Sequence, residues 1–577
     1  MLISHHIILE KSWRMVTGSA LVLSLVLGAG TAKAQSIPGS ADASRVPEHI
    51  EQTMPRATVE APVEIEGQAP FTAPEGAEKI TFTLTNLVLE GQTVYAASDI
   101  EKIYAGKIGT KVSLAEIYSI AAQLTAKYRN DGYILTQVVV PPQTIADGMV
   151  KLRIVEGKIN NIRIEDRTGA AYDVIGMYAE RLKTKSVLNN QDLERVMLLI
   201  NDLPGVTARG ILSPAQDVVG ASNLTVIVDR DPFDAQIGLD NYGSRYLGRW
   251  EATGNISTNS LLGLNELLSL NLAYAPSNKG LEPELTFGEA LAQFPVGPYG
   301  TKLMVKAGVT QTSPGASLDQ FDVKGHAKYI GVNIFQPIIR TRDLNLSSSL
   351  AFDSRDTRTK SNIDTTRKDS LRIVRLGSHL DWVDTVFNAA VTNVNVEFSH
   401  GVSWLGANEK DDLDMSRPDG DPQFYKVTSS FVRLERIVNN VALQTSLSGQ
   451  MSNGPLLSAE EYGVGGVSFG RGYDPSELVG DDGFGASVEL QWNRPYTISW
   501  MTDYTVYGFY DFGRVWNDDA TTSDGSADSL ASIGLGIRTT IAPGTDAGFM
   551  IAKPLTHMIS SENDDDIRPF FNINHKF

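Results

Sequence analysis

The 577-residue chain contains no cysteine, only eight histidines, and 20% charged residues. Without cysteine, a disulfide scaffold, a thiolate metal site and a cysteine nucleophile are excluded. Acidic residues outnumber basic ones by 68 to 50, and the formal net charge of −18 argues against a nucleic-acid-binding face. Beyond the N-terminal region, the longest uncharged stretch, Ile437–Ala459, is full of Asn, Gln, Ser and Gly, which hydrocarbon cannot solvate. No transmembrane helix is therefore predicted there.

The N-terminus has the features of an export signal. Lys11 and Arg14 precede an uncharged run, Met15–Ala32, and Ala32-Lys33-Ala34 fits the small-residue cleavage pattern. We predict a signal peptide over residues 1–34, cleaved between Ala34 and Gln35, with either Met1 or Met15 as the start. A single membrane anchor is the alternative interpretation.

Residues 35–76 are rich in Pro, Ala and Glu and show little apolar periodicity. This composition predicts a linker. Within it, Val46–Met54 is predicted to form one short helix.

From about residue 232 onward, apolar and polar residues alternate in segment after segment. Clear examples are Leu344–Phe352, Val394–Phe398, Val441–Leu447, Val488–Trp492 and Ile533–Ile537. Because side chains of a strand alternate between its two faces, each segment has one apolar face and one polar face. A soluble β-sandwich gives the same signal.

Three details favour a membrane barrel over a sandwich. The polar faces carry bulky Gln, Glu and Arg beside Gly and Ser, as in a water-filled barrel interior. Stretches such as Asn408–Pro422 and Asn517–Asp528 are long and acidic. The chain ends on a strand in which Phe571, Ile573 and the terminal Phe577 share one face, resembling the insertion signal of bacterial outer-membrane barrels. At roughly 20 residues per strand with its connection, residues 232–577 accommodate about 16 antiparallel strands.

Residues 77–231 contain two similar units, 77–156 and 157–231, each predicted to run strand, helix, helix, strand, strand. In the first unit, Ser98 and Ser113 open helices with Glu three positions later, the capping-box pattern. Its predicted strands are Ile80–Asn86, Tyr133–Val140 and Val150–Val155. The predicted elements of the second unit are Ile159–Ile164, helices Tyr172–Leu182 and Asp192–Asn201, and strands Val206–Leu212 and Leu224–Val228.

Motifs within these units and directly after them resemble one family. Tyr128–Tyr133, Val140–Gln143 and Gly148–Gly157 are similar to the first POTRA domain of two-partner secretion transporters, the outer-membrane TpsB proteins of the haemolysin and filamentous-haemagglutinin class. Leu198–Val206 and Asp240–Arg245 resemble the second POTRA domain and the first barrel strand. The resemblance runs from about residue 79 to the C-terminus. It implies a membrane β-barrel of about 16 antiparallel strands over 232–577, preceded by two periplasmic α+β POTRA domains.

Two further motifs concern the barrel interior. Gly465–Tyr473 resembles the family's long-loop motif, usually Val-Arg-Gly-Tyr, with Gly470 where Val is usual, and Phe509–Gly513 resembles its Phe-x-Asp-x-Gly motif. The resemblance implies that a loop at 461–485 folds into the lumen and that Arg471 pairs with Asp511. Such a pair is chemically reasonable because a guanidinium binds a confined carboxylate in bidentate fashion. The alternative is an exposed Arg471 and a solvated Asp511. The implied loop-lumen residues are Arg471, Gly472, Tyr473, Phe509, Asp511 and Gly513.

The resemblance implies a transporter rather than an enzyme. Its partner would be a secreted TpsA-type exoprotein with an N-terminal secretion domain, bound unfolded by the POTRA domains and passed to the cell surface without ATP or a membrane potential. An extended chain suits an open sheet edge beside an apolar groove. The predicted substrate-binding residues are Leu114, Ile117, Tyr118, Tyr133 and Leu135, with membership of the domain core as the alternative. The helix at Val46–Met54 would plug the resting pore.

No catalytic constellation, cofactor or metal site is predicted. The carboxylates between Asp411 and Asp421 cluster like calcium ligands, but Arg417 stands where a calcium loop requires Gly. The expected location is the outer membrane, with lipid and the barrel assembly machinery as further partners and a monomer as the working state. Two alternatives stay open. One is an assembly factor of the same superfamily, commonly with five POTRA units, and the other is a passive porin.

Overall fold

The computed structural model describes residues 37–53, 63–65, 72–166, 173–218, 220–277, 280, 282–362, 366–498, 501–518 and 527–577. The predicted signal peptide and its cleavage site at Ala34 and Gln35 lie outside these residues. No helix in the described ranges is long and apolar enough to cross a bilayer.

The N-terminal part holds a short helix and a first α+β domain. The helix, α1 (Val46–Thr53), is followed by the three-residue strand β1 (Val63–Ile65). The first domain consists of β2 (Thr81–Thr83), β3 (Asn86–Glu90), α2 (Ala97–Glu101), β4 (Lys111–Ser113), α3 (Leu114–Asn130), β5 (Gln137–Val139) and β6 (Met149–Val155). Its sheet has the order β3-β6-β5, and β2 pairs with β4. Helix α3 buries Leu124 and Tyr128 in a core shared with Leu152 of β6.

The predicted strand Ile80–Asn86 is wrong, because the chain changes sheets at Leu84. Strand β2 pairs with β4, whereas β3 runs parallel to β6. Between them the Leu84 amide donates to the carbonyl of Thr110, and the Thr85 amide donates to that of Gly148. One sequence run therefore supplies two short strands.

The two predicted capping boxes have different outcomes. At α3 the prediction is confirmed, since the Glu116 amide donates to the Ser113 hydroxyl and the Ser113 amide donates to the Glu116 carboxylate. At α2 it is wrong. That helix begins at Ala97, so Ser98 lies within the first turn, and its N-cap residue, Ala96, makes no side-chain hydrogen bond.

A second α+β domain follows directly. It consists of β7 (Lys158–Asp166), α4 (Val174–Glu180), α5 (Asn190–Asn201), β8 (Val206–Pro214) and β9 (Ala221–Arg230). The sheet order is β1-β8-β9-β7, so β1 from the N-terminal segment adds to this sheet, parallel to β8. Leu193 and Met197 of α5 pack on Leu224 and Val226 of β9.

Within the described residues, sixteen strands form a closed antiparallel barrel, which confirms the predicted strand number. Each strand pairs with the next, and the last pairs with the first. The barrel strands are β10 (Phe233–Asp240), β11 (Glu251–Asn259), β12 (Leu267–Pro276), β13 (Pro283–Val296), β14 (Thr301–Thr312), β15 (Lys324–Arg340), β16 (Leu344–Lys360), β17 (Arg367–Asp384), β18 (Ala390–Gly401), β19 (Tyr425–Val438), β20 (Val441–Ser452), β23 (Asp482–Ile498), β24 (Met501–Trp516), β25 (Asp528–Ala542), β26 (Thr545–Pro554) and β27 (Arg568–Lys576). Strands β21 (Tyr462–Val464) and β22 (Leu478–Gly480) form a separate hairpin between β20 and β23.

The barrel strands direct apolar residues outward and polar residues inward. Leu490 of β23 and Leu535 of β25 are more than half exposed on the outer face. Glu489 and Gln491, which flank Leu490, and Asp511 of β24 are buried on the inner face. This is the arrangement of a barrel surrounded by lipid around a polar lumen.

The second α+β domain is docked on the end of barrel strand β15. Arg340, at the end of β15, donates through Nε and Nη2 to the two carboxylate oxygens of Asp202, both at 2.7 Å. In the other direction, Arg195 of α5 donates to the carbonyls of Pro337 and Ile338. Both contacts join α5 and the residue after it to the last residues of β15, which holds this domain against the end of the barrel where β10 begins.

Candidate functional site: the in-folded loop and the luminal wall

The segment between β20 and β23, residues 453–481, folds back onto the inner wall of the barrel, and we call it the in-folded loop. It begins before the predicted range 461–485 and ends before that range does, because β23 already starts at Asp482. Its hairpin, β21–β22, brings Val464 into a buried apolar cluster with Val515 of β24 and Leu530 of β25. The turn beyond β21 is closed by hydrogen bonds from the Gly465 amide to the Phe469 carbonyl and from the Tyr473 amide to the Gly470 carbonyl. This compact turn presents Arg471 to the wall.

Arg471 is bonded to the wall through its whole guanidinium group. Its Nε and Nη2 lie 3.0 and 2.9 Å from the two oxygens of Asp511, the bidentate geometry expected of a strong pair. Nη2 also donates to the Ser487 hydroxyl, and Nη1 donates to Glu489. Arg471 is 7% exposed and Asp511 is fully buried. The structure thus brings together the two residues that the family motifs imply as partners.

An aromatic ring and a second arginine complete the pocket around this pair. The guanidinium carbon of Arg471 lies 3.5 Å from the ring centre of Phe509, a close cation–π contact. Glu489 is shared with Arg538 of β25, whose Nη1 lies 2.7 Å from it. Two buried carboxylates are therefore neutralised by two guanidinium groups, one from the loop and one from the wall.

Glycines allow the loop backbone to approach the wall closely. Gly470 has φ +111°, a conformation that side-chain-bearing residues rarely adopt, which accounts for glycine where the family usually has valine. A Cβ at Gly472 would lie 2.9 Å from the backbone nitrogen of Pro554, and one at Gly513 would lie 2.7 Å from Cβ of Val464. Larger residues at these positions would force the loop away from the wall.

Tyr473 and its neighbour attach the loop to the connection after β26 and to β27. Tyr473 is 1% exposed, and its hydroxyl accepts from the amides of Thr556 and His557. The next residue, Asp474, is bonded to Arg568 of β27 at 2.8 Å. Sequence reasoning missed Glu489, Asp474 and Arg568, although Glu489 lies on the polar face of a predicted strand.

Helix α1 makes polar and apolar contacts with inner-wall residues. His49 Nε2 lies 2.8 Å from a carboxylate oxygen of Glu251, at the start of β11. On the apolar side, Val46 and Ile50 are buried against residues that include Phe287. The predicted helix at Val46–Met54 is observed as Val46–Thr53, with Met54 outside the described residues.

The predicted substrate-binding set of the first domain divides into two groups. Ile117 is fully buried in the domain core, and Leu135 is buried in the core of the second domain, so neither is available to a ligand. Both assignments are wrong because core packing takes these side chains first. Leu114, Tyr118 and Tyr133 are half-buried and keep part of their surface accessible.

Within the first domain, the Glu156 carboxylate, directly after β6, bonds to the segment that follows β3. Glu156 accepts from the Thr93 hydroxyl, from the amides of Thr93 and Val94, at 2.7 and 3.0 Å, and from the Tyr128 hydroxyl. Burial acts to raise the pKa of the Glu156 carboxyl, but these hydrogen bonds outweigh it and lower the pKa below its usual value.

Among the described residues, no group of three or more His, Asp or Glu side chains is arranged to hold a metal ion. In the acidic stretch after β18, Asp412 accepts hydrogen bonds from Asn408 and from the Glu409 amide. This carboxylate is thus engaged in a local turn.

Comparisons with known proteins fit this architecture. A sequence profile described as haemolysin secretion/activation protein ShlB/FhaC/HecB matches residues 220–539, and the ShlB-type POTRA profile matches residues 82–157. The heme/hemopexin transporter protein HuxB of Haemophilus influenzae strain 86-028NP is 24% identical over 558 residues, 95% of this chain and 96% of HuxB.

Two solved structures share the fold. CdiB from Escherichia coli has a TM-score of 0.70 and 20% identity, covering 93% of this chain and 96% of CdiB. BamA from Haemophilus ducreyi, lacking POTRA domains 1–3, has a TM-score of 0.50 and 14% identity, covering 86% of this chain and 100% of BamA.

Proposed function

This chain belongs to the haemolysin secretion/activation family ShlB/FhaC/HecB, and we propose that it exports an unfolded exoprotein by displacing the in-folded loop and α1 from its barrel. Members of the family are outer-membrane transporters of two-partner secretion, which work with secreted TpsA-type exoproteins. The barrel of this chain lies in the outer membrane, and its POTRA region lies in the periplasm.

The single observation that carries the proposal is the pairing of Arg471 with Asp511 inside the lumen. A loop held by discrete polar contacts is a removable obstruction, since those contacts can be exchanged for water or for a passing chain. A loop folded into the lumen also occurs in other outer-membrane barrels, but a passive porin has no need of periplasmic domains. The pairing therefore favours gated passage of a polypeptide.

Capture of the exoprotein is assigned to the periplasmic domains. Leu114, Tyr118 and Tyr133 offer half-buried apolar surface to an amphipathic chain, and an extended segment adds to a sheet edge through its backbone. The POTRA region is proposed to comprise two domains, 77–156 and 157–231, and to bind the N-terminal secretion domain of a haemolysin, haemagglutinin or adhesin. The transporter would act as a monomer in outer-membrane lipid after insertion by the barrel assembly machinery.

An assembly factor of the same superfamily is the second candidate, favoured only by the shared fold with BamA. The two functions differ in which proteins depend on the chain. Mass spectrometry of the medium and cell surface would compare a deletion strain complemented with wild type or with Arg471→Ala. Export predicts that one large protein disappears on deletion and returns with the wild-type gene, and a level changed by Arg471→Ala would link its export to the seating of the loop. A joint fall of many outer-membrane barrels would instead establish assembly.

A further inference from the structure

The in-folded loop has a second attachment, on a different part of the wall from the Arg471 site. Glu460 ends a short 3-10 helix, Ser458–Glu460, just before β21, and is 2% exposed. One carboxylate oxygen lies 2.8 Å from Arg375 Nη2 and 3.4 Å from Arg355 Nη1, and the other lies 2.7 Å from Lys426 Nζ. These three cations project from β17, β16 and β19, so a single loop carboxylate joins three barrel strands.

The charges around Glu460 balance only while the loop is in place. Arg375 also pairs with Asp353 at 2.8 Å and with Glu397 at 3.3 Å. We call these six residues the Glu460 cluster: Arg355, Arg375, Lys426, Asp353, Glu397 and Glu460. It contains three cations and three carboxylates, and Glu460 alone comes from the loop. Loss of its charge leaves three cations facing two carboxylates, and uncompensated buried charge is strongly destabilising.

The same turn also holds the segment that leads into α1. Arg45 Nη1 donates to the backbone carbonyls of Ser458 and Glu461, at 3.2 and 2.9 Å, which lie on either side of Glu460. Its Nε donates to the hydroxyl of Ser476, which is also in the loop. Arg45 is 6% exposed, so these bonds are shielded from water. Arg45 can therefore make these two hydrogen bonds only while the turn 458–461 lies against the barrel wall.

We propose that Glu460 is a positioning residue that couples the loop to α1. Its ion pairs seat the turn 458–461 against β16, β17 and β19, and the seated turn supplies the carbonyls that hold Arg45. Withdrawal of Glu460 from its cations therefore weakens the attachment of the loop and of the segment before α1 together, while the Arg471 site and the contacts of His49 remain. The inference rests on the proposed function only in that both segments leave the lumen during export.

The test uses the absence of native cysteine. Ala43, just before α1, is 2% exposed and packs near Gly325 of β15, so a thiol introduced by Ala43→Cys reports release of this segment. Purified full-length protein carrying this substitution is labelled with a membrane-impermeant maleimide, without exoprotein, and single-channel conductance is recorded in planar bilayers. The labelling rate measures how often the segment before α1 becomes accessible to solvent. The conductance measures how far the pore as a whole is obstructed.

Glu460→Gln is expected to raise the labelling rate at position 43 at least tenfold and to increase the open probability. Glu266→Gln is the matched control, because it makes the same change at a fully buried carboxylate that accepts from the Leu262 and Leu264 amides in the turn before β12. The control is expected to keep both readouts at the values of the parent protein. Lys426→Gln, which removes one of the three cations, is expected to change both readouts in the same direction by a smaller factor, and serves if the Glu460 variant does not yield a folded barrel.

Two results would overturn the proposal. If open probability rises while labelling stays at the parent rate, the loop moves without α1 and the coupling is wrong. If neither readout changes in a folded barrel, shown by heat-modifiable migration on gels, Glu460 does not position the loop. Neither readout requires export, so a failure of the export function would be seen separately, as unaltered exoprotein levels in the deletion strain.

Discussion

Replacing Arg471 by alanine removes the charged contact that holds the loop on β23 and β24. Asp511 is fully buried, and it would keep hydrogen bonds to Ser487 and to loop amides but lose its guanidinium partner. Breaking a buried ion pair from one side costs about 3–5 kcal/mol. At about 1.4 kcal/mol per factor of ten, the equilibrium for loop detachment shifts by roughly a hundredfold to a few thousandfold.

Single-channel recording of the purified protein measures this shift as longer and more frequent open periods. Arg471→Lys keeps the charge but cannot reproduce the two parallel hydrogen bonds, so an intermediate increase is expected. Arg538→Gln is the matched control, because it removes a cation from the same wall and a bond to Glu489 but no contact with the loop. Its channel is expected to remain as closed as the wild type.

The reasoning would be refuted by a folded Arg471→Ala barrel whose open probability equals that of wild type. It would also be refuted if Arg538→Gln opened the channel as much as Arg471→Ala. In that case luminal charge, rather than the attachment of the loop, would set the open state.

Three further predictions concern the loop, the domain docking and acid stability. A valine side chain at position 472 cannot fit beside the Pro554 backbone, so Gly472→Val should detach the loop. The open probability of this variant's channel should resemble that of Arg471→Ala. Arg340→Ala removes both bonds to Asp202, and hydrogen exchange of α5 should accelerate about tenfold or more, whereas an unchanged rate would show that the docking does not depend on this pair. Because the folded-state pKa of Glu156 is lowered, its stabilisation is present above the ordinary carboxyl pKa and is lost as pH falls through the folded value. The Thr93 and Val94 amides, which are bonded to Glu156, should therefore lose protection from hydrogen exchange in acid in the wild type. In Glu156→Gln their protection should be low at every pH.

The barrel could be predicted from sequence because its signal is local and repeated. Two-residue alternation at segments such as Val488–Trp492 assigns one face to lipid and one to the lumen, and Leu490 and Glu489 follow that assignment. The pairing of Arg471 with Asp511 was accessible only through the family motifs, since alternation places Asp511 inside the barrel without indicating its partner.

Features that depend on distant pairing could not be predicted. Nothing in the composition of Val63–Ile65 indicates that it adds to the edge of β8, 147 residues away. The ion pairs of Glu460 join residues on three strands whose relative register is fixed only when the barrel closes. The misassigned Ile117 and Leu135 show the reverse difficulty, because an apolar residue in a groove and one in a core have the same local pattern.

The central claim is that an exoprotein passes through the lumen of this barrel, and site-specific photo-cross-linking in living cells tests it most directly. A photoreactive residue replaces either Gln491, on the inner face of β23, or Leu490, which is 54% exposed on the outer face. The account predicts that position 491 cross-links to one large secreted polypeptide while position 490 does not. Cross-links to that polypeptide from position 490 alone, or none from position 491 while secretion continues, would contradict passage through the lumen.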